Sequence, residues 1–272
     1  MSVQTAAGRL TTRDIAGLWK DGEKIAMLTA YDYVMAGLLD QSGIEMILVG
    51  DSLGNVVLGY ETTIPVTLED MIRHASAVQR ATSRALVVCD LPFGTTADSD
   101  TALKSAIEIF QRSGAQAVKI EGGLPVAETV RRLTLQGMPV MGHIGLTPQS
   151  VHQLGGFYRH GKTDRAAKAL IEAALVLQDA GAFSIVLECV VPEIAEEITG
   201  LLSIPTIGIG SGPNCSGQVL VINDLIGLNT RPAPSFATPR ADVATIIRKA
   251  VAEYVAEVKH PAEVPQQDRA RG

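Results

Sequence analysis

The chain has 272 residues, of which 46% are hydrophobic and 19% are charged, so a domain of this size can bury a large core. Its formal net charge is −6 and it has no block of lysine and arginine, which makes it a poor match for the phosphate backbone of nucleic acid. No apolar run approaches the roughly 20 residues of a membrane span, and the N-terminal segment has no apolar signal core. We therefore expect a cytoplasmic protein that binds neither nucleic acid nor membrane.

The first predicted element is a helix over residues 11–22, which is extra to the repeating pattern that follows. Seven short apolar segments then fit the strands of a parallel sheet covered by helices. They lie near residues 25–29, 46–50, 85–90, 117–121, 139–143, 184–188 and 204–209. An eighth strand is expected between residues 219 and 232, where the sequence fits either a helix or a strand. A final helix is predicted near residues 241–258.

The connections between these strands favour a repeating βα unit. At four points a helical segment ends in a glycine that precedes an apolar strand, and glycine at this position takes the left-handed conformation that stops a helix. The four glycines are Gly43, Gly114, Gly137 and Gly181. Apolar residues at helical spacing predict one buried face for the segments at residues 68–78, 103–110 and 167–174, with Ala106 and Ile107 on the buried face of the second.

These elements predict an α/β protein, a (β/α)8 TIM barrel with an extra N-terminal helix. We expect one domain over residues 1–258 and a polar, disordered tail over residues 259–272. A doubly wound open sheet is the competing architecture, because it also alternates strands and helices. That fold usually carries a GxGxxG turn after its first strand, where this chain has TAYD at residues 29–32. The barrel is therefore preferred.

Five predicted strands end in a side chain that can carry charge. These residues are Asp51, Asp90, Glu121, His143 and Glu188. The C-terminal ends of the strands form the active-site face of a parallel barrel, so the five side chains are expected to meet there. The pattern predicts an enzyme.

Asp51, Asp90 and Glu121 follow the second, third and fourth strands and are therefore expected side by side. Three carboxylates in a confined site repel one another unless a cation or protons neutralise them. Oxygen ligands of this kind suit Mg²⁺. The alternative is that each acid caps the helix that follows it, because aspartate is a favoured N-cap residue. We prefer the magnesium site, since function concentrates on this face of a barrel.

Three further side chains complete the candidate site. Lys119 lies two residues before Glu121 and so shares its face of the strand, where it would pair with the acids or meet an anionic substrate. Glu188, beside an apolar segment, is a candidate general base. A fourth metal ligand is the less favoured alternative for Glu188, since the sixth strand is expected across the barrel from the second. Four roles stay open for His143: a metal ligand, an acid, a neighbour of the metal ligands, or a buried core residue. Taken alone, the residue is best explained as a core histidine.

Two segments and the cysteines carry weaker signals. The glycine cluster at residues 208–212 would serve either close backbone approach to a substrate or a tight turn. Residues 151–162 form either a lid or a solvated loop. Cys89, Cys189 and Cys215 lack CxxC spacing, and thiols that fill space explain them better than a disulfide, a zinc site or a redox role.

Several segments are specific enough to compare with a known family. They are TAYDY (29–33), LVGDSLG (48–54), IPVTLEDM (64–71), DLPFG (90–94), VKIEGG (118–123), GHIGLTPQS (142–150), VLEC (186–189) and IPTIGIGSG (204–212). Together they closely resemble the ketopantoate hydroxymethyltransferase family, from about residue 10 to about residue 258. VGDSLG, KIEGG and GHIGLTPQ are specific to that family rather than to barrels in general.

The resemblance implies a barrel of the phosphoenolpyruvate/pyruvate-binding superfamily. It also implies the first committed step of pantothenate and coenzyme A biosynthesis. In that step a hydroxymethyl group passes from 5,10-methylenetetrahydrofolate to 3-methyl-2-oxobutanoate and gives 2-dehydropantoate. Homo-oligomers, often decamers, are a further implication of the resemblance.

The family pattern also implies roles for individual residues. It places Mg²⁺ on Asp51, Asp90 and Glu121, and the proton acceptor on Glu188. Contacts with the substrate fall on Asp51, Ser52, Asp90 and Lys119. Two other functions stay open: a Mg²⁺-dependent 2-oxo-acid lyase or mutase of the same superfamily, and a barrel that only binds or scaffolds. The intact set of acids speaks against the second.

Overall fold

The computed structural model describes residues 8–156, 158–230 and 232–260, and the residues up to Ile222 form one compact unit. In this unit eight parallel strands pair in chain order, and the eighth pairs with the first to close a barrel. The strands are β1 (Ile25–Thr29), β2 (Met46–Val49), β3 (Leu86–Asp90), β4 (Ala117–Glu121), β5 (Val140–Gly145), β6 (Ser184–Glu188), β7 (Thr206–Ile209) and β8 (Gly217–Leu220). The predicted barrel is confirmed, and the pairing of β8 with β1 excludes the open sheet.

Helices precede β1 and follow most of the strands. They are α1 (Thr12–Lys20), α2 (Tyr33–Gln41), α3 (Leu53–Val56), α4 (Leu68–Ala81), α5 (Ser99–Ser113), α6 (Ala127–Leu135), α7 (Val151–Leu154), α8 (Asp164–Asp179), α9 (Pro192–Leu201) and α10 (Ile222–Ile226). Short 3₁₀ helices lie at Leu124–Val126 and Pro148–Ser150. The first seven strands all fall where the apolar segments predicted them, because strands buried on both faces read as continuous apolar runs.

The extra N-terminal helix is confirmed as α1. Thr11 and Asp14 form a capping box, in which the Thr11 side chain accepts from Asp14 N and the Asp14 carboxylate accepts from Thr11 N. Ile15 of this helix is fully buried in the core cluster that strand residues such as Ile25 and Met46 fill. Burial of one isoleucine stabilises the fold by roughly 1.5–3 kcal/mol, so α1 is part of the barrel's core.

The buried face of α5 differs from the prediction. Ala102, Ala106 and Ile109 are buried, whereas Ile107 is 38% exposed. The sequence offers two overlapping apolar stripes on this helix. The stripe that contains more alanine faces the interior, because small side chains let a helix pack closely.

The eighth strand begins earlier than predicted. β8 starts at Gly217 and ends at Leu220, and α10 begins at Ile222, so the ambiguous segment contains both a strand and a helix. A Cβ atom on Gly217 would lie 2.3 Å from the carbonyl oxygen of Ile25, and glycine is therefore needed where β8 pairs with β1. Because glycine is depleted in strands, the composition around Gly217 did not indicate that a strand begins there.

Residues from Asn223 onward form a second compact unit. Its main element is α11 (Val243–Lys259), close to the helix predicted near residues 241–258. The side chain of Asp242 accepts a hydrogen bond from Thr245 N at 3.1 Å and caps this helix. A single domain over residues 1–258 stays a prediction.

The predicted tail over residues 259–272 lies outside the described residues, apart from Lys259, which ends α11, and His260. No helix in the described part of the chain is both long enough and apolar enough to cross a membrane.

Candidate active site

None of the acids at the strand ends caps the helix that follows it. The N-cap residues of α3, α5, α6 and α9 are Ser52, Asp98, Val126 and Val191. The helix-cap explanation for Asp51, Asp90, Glu121 and Glu188 is therefore wrong. Their side chains are free to serve the barrel's active-site face.

Lys119 joins two of the three acids. Its Nζ atom lies 3.1 Å from Oδ1 of Asp90 and 3.8 Å from Oε1 of Glu121, and all three side chains are buried. Burial lowers the pKa of Lys119, but the charges of Asp90, Glu121 and Asp51 outweigh burial and raise it. Lys119 is thus a charged ammonium on the same face as Glu121, as predicted.

Asp51 lies against Asp90 and completes what we call the acid cluster: Asp51, Asp90 and Glu121. The backbone N–H of Asp51 donates to Oδ2 of Asp90 at 2.9 Å. Burial raises the pKa of the Asp51 carboxyl to about 8, and the charges of Asp90 and Glu121 act in the same direction. The cluster therefore holds more potential negative charge than the single ammonium of Lys119 offsets.

His143 connects the acid cluster with Glu188. Its Nδ1 atom lies 3.1 Å from Nζ of Lys119 and 3.5 Å from Oε1 of Glu121, and its Nε2 atom lies 3.2 Å from Oε2 of Glu188. Burial and the charge of Lys119 lower the pKa of His143, but the neighbouring carboxylates outweigh both and raise it to about 9. His143 is 2% exposed, so it is both a core histidine and a member of the site.

The backbone at Glu188 is fixed by close packing. Leu146 N donates to the carbonyl oxygen of Glu188 at 2.8 Å, and a Cβ atom on Gly145 would lie 2.2 Å from that oxygen. The next residue, Cys189, has a φ of +50°, which is costly for a residue with a Cβ atom. The chain thus bends sharply directly after Glu188, and its surroundings hold it in that bend.

Ser211 of the glycine cluster closes this bend. Its hydroxyl donates to Leu187 O at 2.7 Å and accepts from Val190 N at 2.9 Å, and Ser211 is 1% exposed. The glycines on either side of Ser211 both have positive φ, +63° at Gly210 and +84° at Gly212. Of the two possibilities for the cluster, the tight turn is the one that these contacts favour, and its function is to brace the strand that presents Glu188.

The predicted lid or loop is anchored near Glu188. It begins with α7, and at its other end His160 N donates to Cys189 O at 2.8 Å while Val191 N donates to His160 O at 2.9 Å. Phe157 lies outside the described residues. The lid stays a prediction.

Ser52, a substrate contact implied by the resemblance, is held by a buried tyrosine. The hydroxyl groups of Ser52 and Tyr31 lie 2.8 Å apart. Burial raises the pKa of Tyr31, so the phenol is neutral at physiological pH and can donate to Ser52. Ser52 therefore has a defined orientation beside Asp51.

Sequence reasoning missed Gln149. Its side-chain amide donates to Oδ2 of Asp51 at 2.9 Å and to Leu91 O at 3.0 Å, and its backbone N–H donates to Oε2 of Glu121 at 3.1 Å. Our criterion selected side chains directly at strand ends, and Gln149 lies four residues beyond Gly145, the last residue of β5. The available signal was its place in the specific segment GHIGLTPQS.

The acid cluster fits a hard divalent cation by its chemistry. All its donors are oxygens, and Oδ1 of Asp90 is buried without a hydrogen bond of suitable geometry among the described residues, although Lys119 is near. In the described part of the chain, no group of three or more His, Cys, Asp and Glu side chains has the arrangement of a metal site. Mg²⁺ usually keeps substrate and water oxygens among its ligands and is bound by only one or two carboxylates.

The described cysteines are all free thiols. Cys89 is buried, which raises its pKa. Burial and the charge of Glu188 raise the pKa of Cys189 to about 11. Neither group is a reactive thiolate at neutral pH, which agrees with the space-filling explanation.

A closed parallel barrel with buried acids, a lysine and a histidine at the ends of its strands defines this chain as an α/β-barrel enzyme. The sequence model of the ketopantoate hydroxymethyltransferase family matches residues 9–266. A relative from Syntrophus aciditrophicus, named 3-methyl-2-oxobutanoate hydroxymethyltransferase, is 53% identical over 269 residues, which cover 98% of each chain. The chain belongs to the ketopantoate hydroxymethyltransferase family and is a transferase.

Two solved structures share the fold. Phosphoenolpyruvate phosphomutase from Streptomyces platensis subsp. rosaceus aligns with a TM-score of 0.63 at 12% identity, over 97% of this chain and 92% of its own. A 2,3-dimethylmalate lyase, a member of the PEP mutase/isocitrate lyase superfamily, aligns with a TM-score of 0.56 at 16% identity. The alignment covers 96% of this chain and 91% of the lyase chain. These structures share the barrel fold of this chain.

Proposed function

We propose that this chain transfers a hydroxymethyl group from 5,10-methylenetetrahydrofolate to 3-methyl-2-oxobutanoate, with Mg²⁺ as the metal. The products are 2-dehydropantoate and tetrahydrofolate, and water supplies the hydroxyl oxygen. The names of the relatives support the oxo acid and the transferred group. The folate, the metal and the residue roles are supported by the resemblance and by the contacts of the site.

The observation that carries the proposal is the series of contacts from the acid cluster through the buried His143 to Glu188. The reaction needs negative charge to be stabilised at the oxo group while a proton leaves the neighbouring carbon, C3. A cation site and a carboxylate base therefore have to face one small molecule together. Glu188 at one end of the path and the acid cluster at the other supply these two functions.

Glu188 accepts the C3 proton. The electron pair of the broken C–H bond forms the new bond to the one-carbon unit. Both carbon–nitrogen bonds that join this carbon to the folate break, water supplies the hydroxyl oxygen, and the two folate nitrogens take up one proton from water and the one released from C3. The side chain of Glu188 is 16% exposed, whereas those of His143 and Glu121 are 3% and 5% exposed. Among these three, Glu188 is thus the group that a substrate in the barrel mouth reaches first.

Asp51, Asp90 and Glu121 would hold Mg²⁺, together with oxygens of the oxo acid and water. When bound, the ion would act as a Lewis acid toward the oxo acid and so stabilise the enolate. Lys119 offsets the charge that the oxo acid brings, because its ammonium lies beside Asp90. Ser52 orients the acid through a hydroxyl that Tyr31 holds in place.

The partners are small molecules and, as the resemblance implies, further copies of the chain in a homo-oligomer such as a decamer. Exposed apolar side chains on α2 support assembly, since Tyr33, Val34 and Leu38 are 59%, 69% and 54% exposed. Apolar side chains grouped in this way usually become covered by a partner.

The test is product formation from 3-methyl-2-oxobutanoate with and without 5,10-methylenetetrahydrofolate, followed by mass spectrometry. We expect 2-dehydropantoate only when folate and Mg²⁺ are both present. Deuterium exchange at C3, followed by NMR, would report the proton step separately. Cleavage of a carbon–carbon bond without folate would contradict the proposal and favour a lyase or mutase of the same superfamily.

A further inference from the structure

Gln149 contacts the ends of three neighbouring strands. Its amide Nε2 reaches Asp51 after β2 and the carbonyl of Leu91 after β3, and its backbone N–H reaches Glu121 at the end of β4. Lys119 also contacts two of the acids, Asp90 and Glu121, whereas Gln149 is the residue that bonds to Asp51 and Glu121. The residue comes from the segment after β5, so it joins the acid cluster from a fourth strand end.

Both hydrogens of the Gln149 amide are used. One lies on Oδ2 of Asp51 and the other on Leu91 O, at 2.9 Å and 3.0 Å. A primary amide has two such hydrogens, so these contacts fix the plane of the amide and with it the orientation of the Asp51 carboxylate. Oδ2 of Asp51 is engaged by this bond.

The backbone N–H of Gln149 holds the carboxylate of Glu121 in a similar way. Oε2 of Glu121 accepts from Gln149 N, while Oε1 faces Lys119 and His143 at 3.8 Å and 3.5 Å. Gln149 is the middle residue of the 3₁₀ helix Pro148–Ser150, which continues into α7. The proline at the start of this turn restricts its backbone, so the donor on Glu121 is held by local structure.

We infer that Gln149 is a positioning residue for the acid cluster, which orients the carboxylates of Asp51 and Glu121 toward a divalent cation and the oxo acid. This inference rests on the proposed function and adds to it a residue that touches neither the proton nor the transferred carbon. Groups that orient metal ligands from behind typically change metal affinity by about 10- to 100-fold when they are removed.

The test compares Gln149→Met with the matched control Gln153→Met. Methionine keeps the length of glutamine and removes the amide donors, whereas the backbone bond to Glu121 is left in place. Gln153 carries the same side chain on α7, one turn further along, and is exposed. Calorimetry on the full chain would measure Mg²⁺ binding with saturating 3-methyl-2-oxobutanoate and without folate, and thermal unfolding would be recorded for each variant.

We expect Gln149→Met to weaken Mg²⁺ binding about tenfold or more, with unfolding close to wild type, and Gln153→Met to bind like wild type. Raised Mg²⁺ concentration is expected to restore C3 proton exchange in Gln149→Met, which a merely structural defect would not allow. If Gln149→Met does not fold, Gln149→Asn keeps an amide one methylene shorter and is expected to show the same weakening.

Equal or tighter Mg²⁺ binding in the Gln149 variant would overturn the inference and leave the proposed function standing. A defect that excess Mg²⁺ does not restore would also overturn it. If the wild-type chain binds neither Mg²⁺ nor the oxo acid, the proposed function is wrong, and the inference about Gln149 is wrong as well.

Discussion

His143 places its Nε2 atom 3.2 Å from Oε2 of Glu188, while its other ring nitrogen lies 3.5 Å from Oε1 of Glu121. β6 lies across the barrel from β2, as the order of the strands predicted, but the neighbours of Glu188 are not all apolar. The imidazole instead bridges the two sides of the mouth.

Glu188→Gln is expected to slow C3 proton exchange about 10²–10⁴-fold, because the amide keeps the shape of the side chain and cannot accept the proton. Binding of Mg²⁺ and the oxo acid is expected to persist. Exchange followed by NMR, beside binding calorimetry, checks both statements. The matched control is Glu196→Gln on α9, where the side chain is exposed. Unchanged exchange would move the base elsewhere, with His143 next, and lost Mg²⁺ binding would make Glu188 a ligand.

Removal of the metal by EDTA is expected to abolish turnover, and added Mg²⁺ is expected to restore it. Asp51→Asn and Asp90→Asn are each expected to weaken Mg²⁺-dependent binding of the oxo acid, since each removes a negative charge from the acid cluster. Asp21→Asn is a suitable control because Asp21 is exposed at the end of α1. Full turnover in a metal-stripped sample would rule out the metal assignment.

Lys119→Ala is expected to raise KM for the oxo acid. The substitution leaves Asp90 and Glu121 without the ammonium that lies 3.1 Å and 3.8 Å from them, so an anionic substrate meets more repulsion. Loss of one partner of a buried ion pair also destabilises a protein by about 3–5 kcal/mol, and urea unfolding therefore has to accompany the kinetics. Lys104→Ala on α5, at an exposed position, is the control. A wild-type KM would restrict Lys119 to a structural role.

Ser211→Ala is expected to slow C3 exchange without affecting Mg²⁺ binding. The change removes the hydroxyl that bridges Leu187 O and Val190 N on either side of Glu188, and the bend after the base loses its brace. Each buried group left without a partner costs about 1–3 kcal/mol, so the melting temperature should fall as well. Ser203→Ala, at an exposed position, is expected to change neither property. If exchange is normal in a destabilised Ser211 variant, the bend matters for folding only.

Asp40→Asn is expected to lower stability by about 1–3 kcal/mol at pH 7. The Asp40 carboxylate accepts from the backbone N–H groups of Ser83, Arg84 and Ala85. Burial raises the pKa of Asp40, but these bonds outweigh burial and hold it below the ordinary value of 3.8. A depressed pKa stabilises the fold above the ordinary pKa, and this contribution is lost as the pH falls through the folded-state value.

Urea unfolding at pH 7 and near pH 3 checks the Asp40 prediction. The difference between wild type and Asp40→Asn is expected to shrink at the lower pH, because stabilisation from a depressed pKa declines once the pH falls below the ordinary value of 3.8. A difference of the same size at both pH values would show that the charge of Asp40 contributes nothing.

The sequence alone was enough to predict the barrel, and it selected candidate residues at one end of it. Strands buried on both faces need continuous apolar residues, and helices that stop before them need glycine, so both signals are local. The local signal was wrong on α5, because this helix has two overlapping apolar stripes and the sequence does not indicate which of them faces the core. It also failed at Gly217, where the strand begins with a residue chosen for its closeness to Ile25.

The candidate residues could likewise be predicted, because a single rule about strand ends selected Asp51, Asp90, Glu121, His143 and Glu188. Their contacts could not. Gln149 and Asp51 are 98 residues apart, and Ser211 and Val190 are 21 apart, and no spacing in the sequence indicates which donor meets which acceptor. Only closure of the barrel brings these groups within 3 Å. Hydrogen bonds depend on the distance and angle between particular atoms, whereas the apolar pattern that determines the fold needs only the right kind of residue at each position.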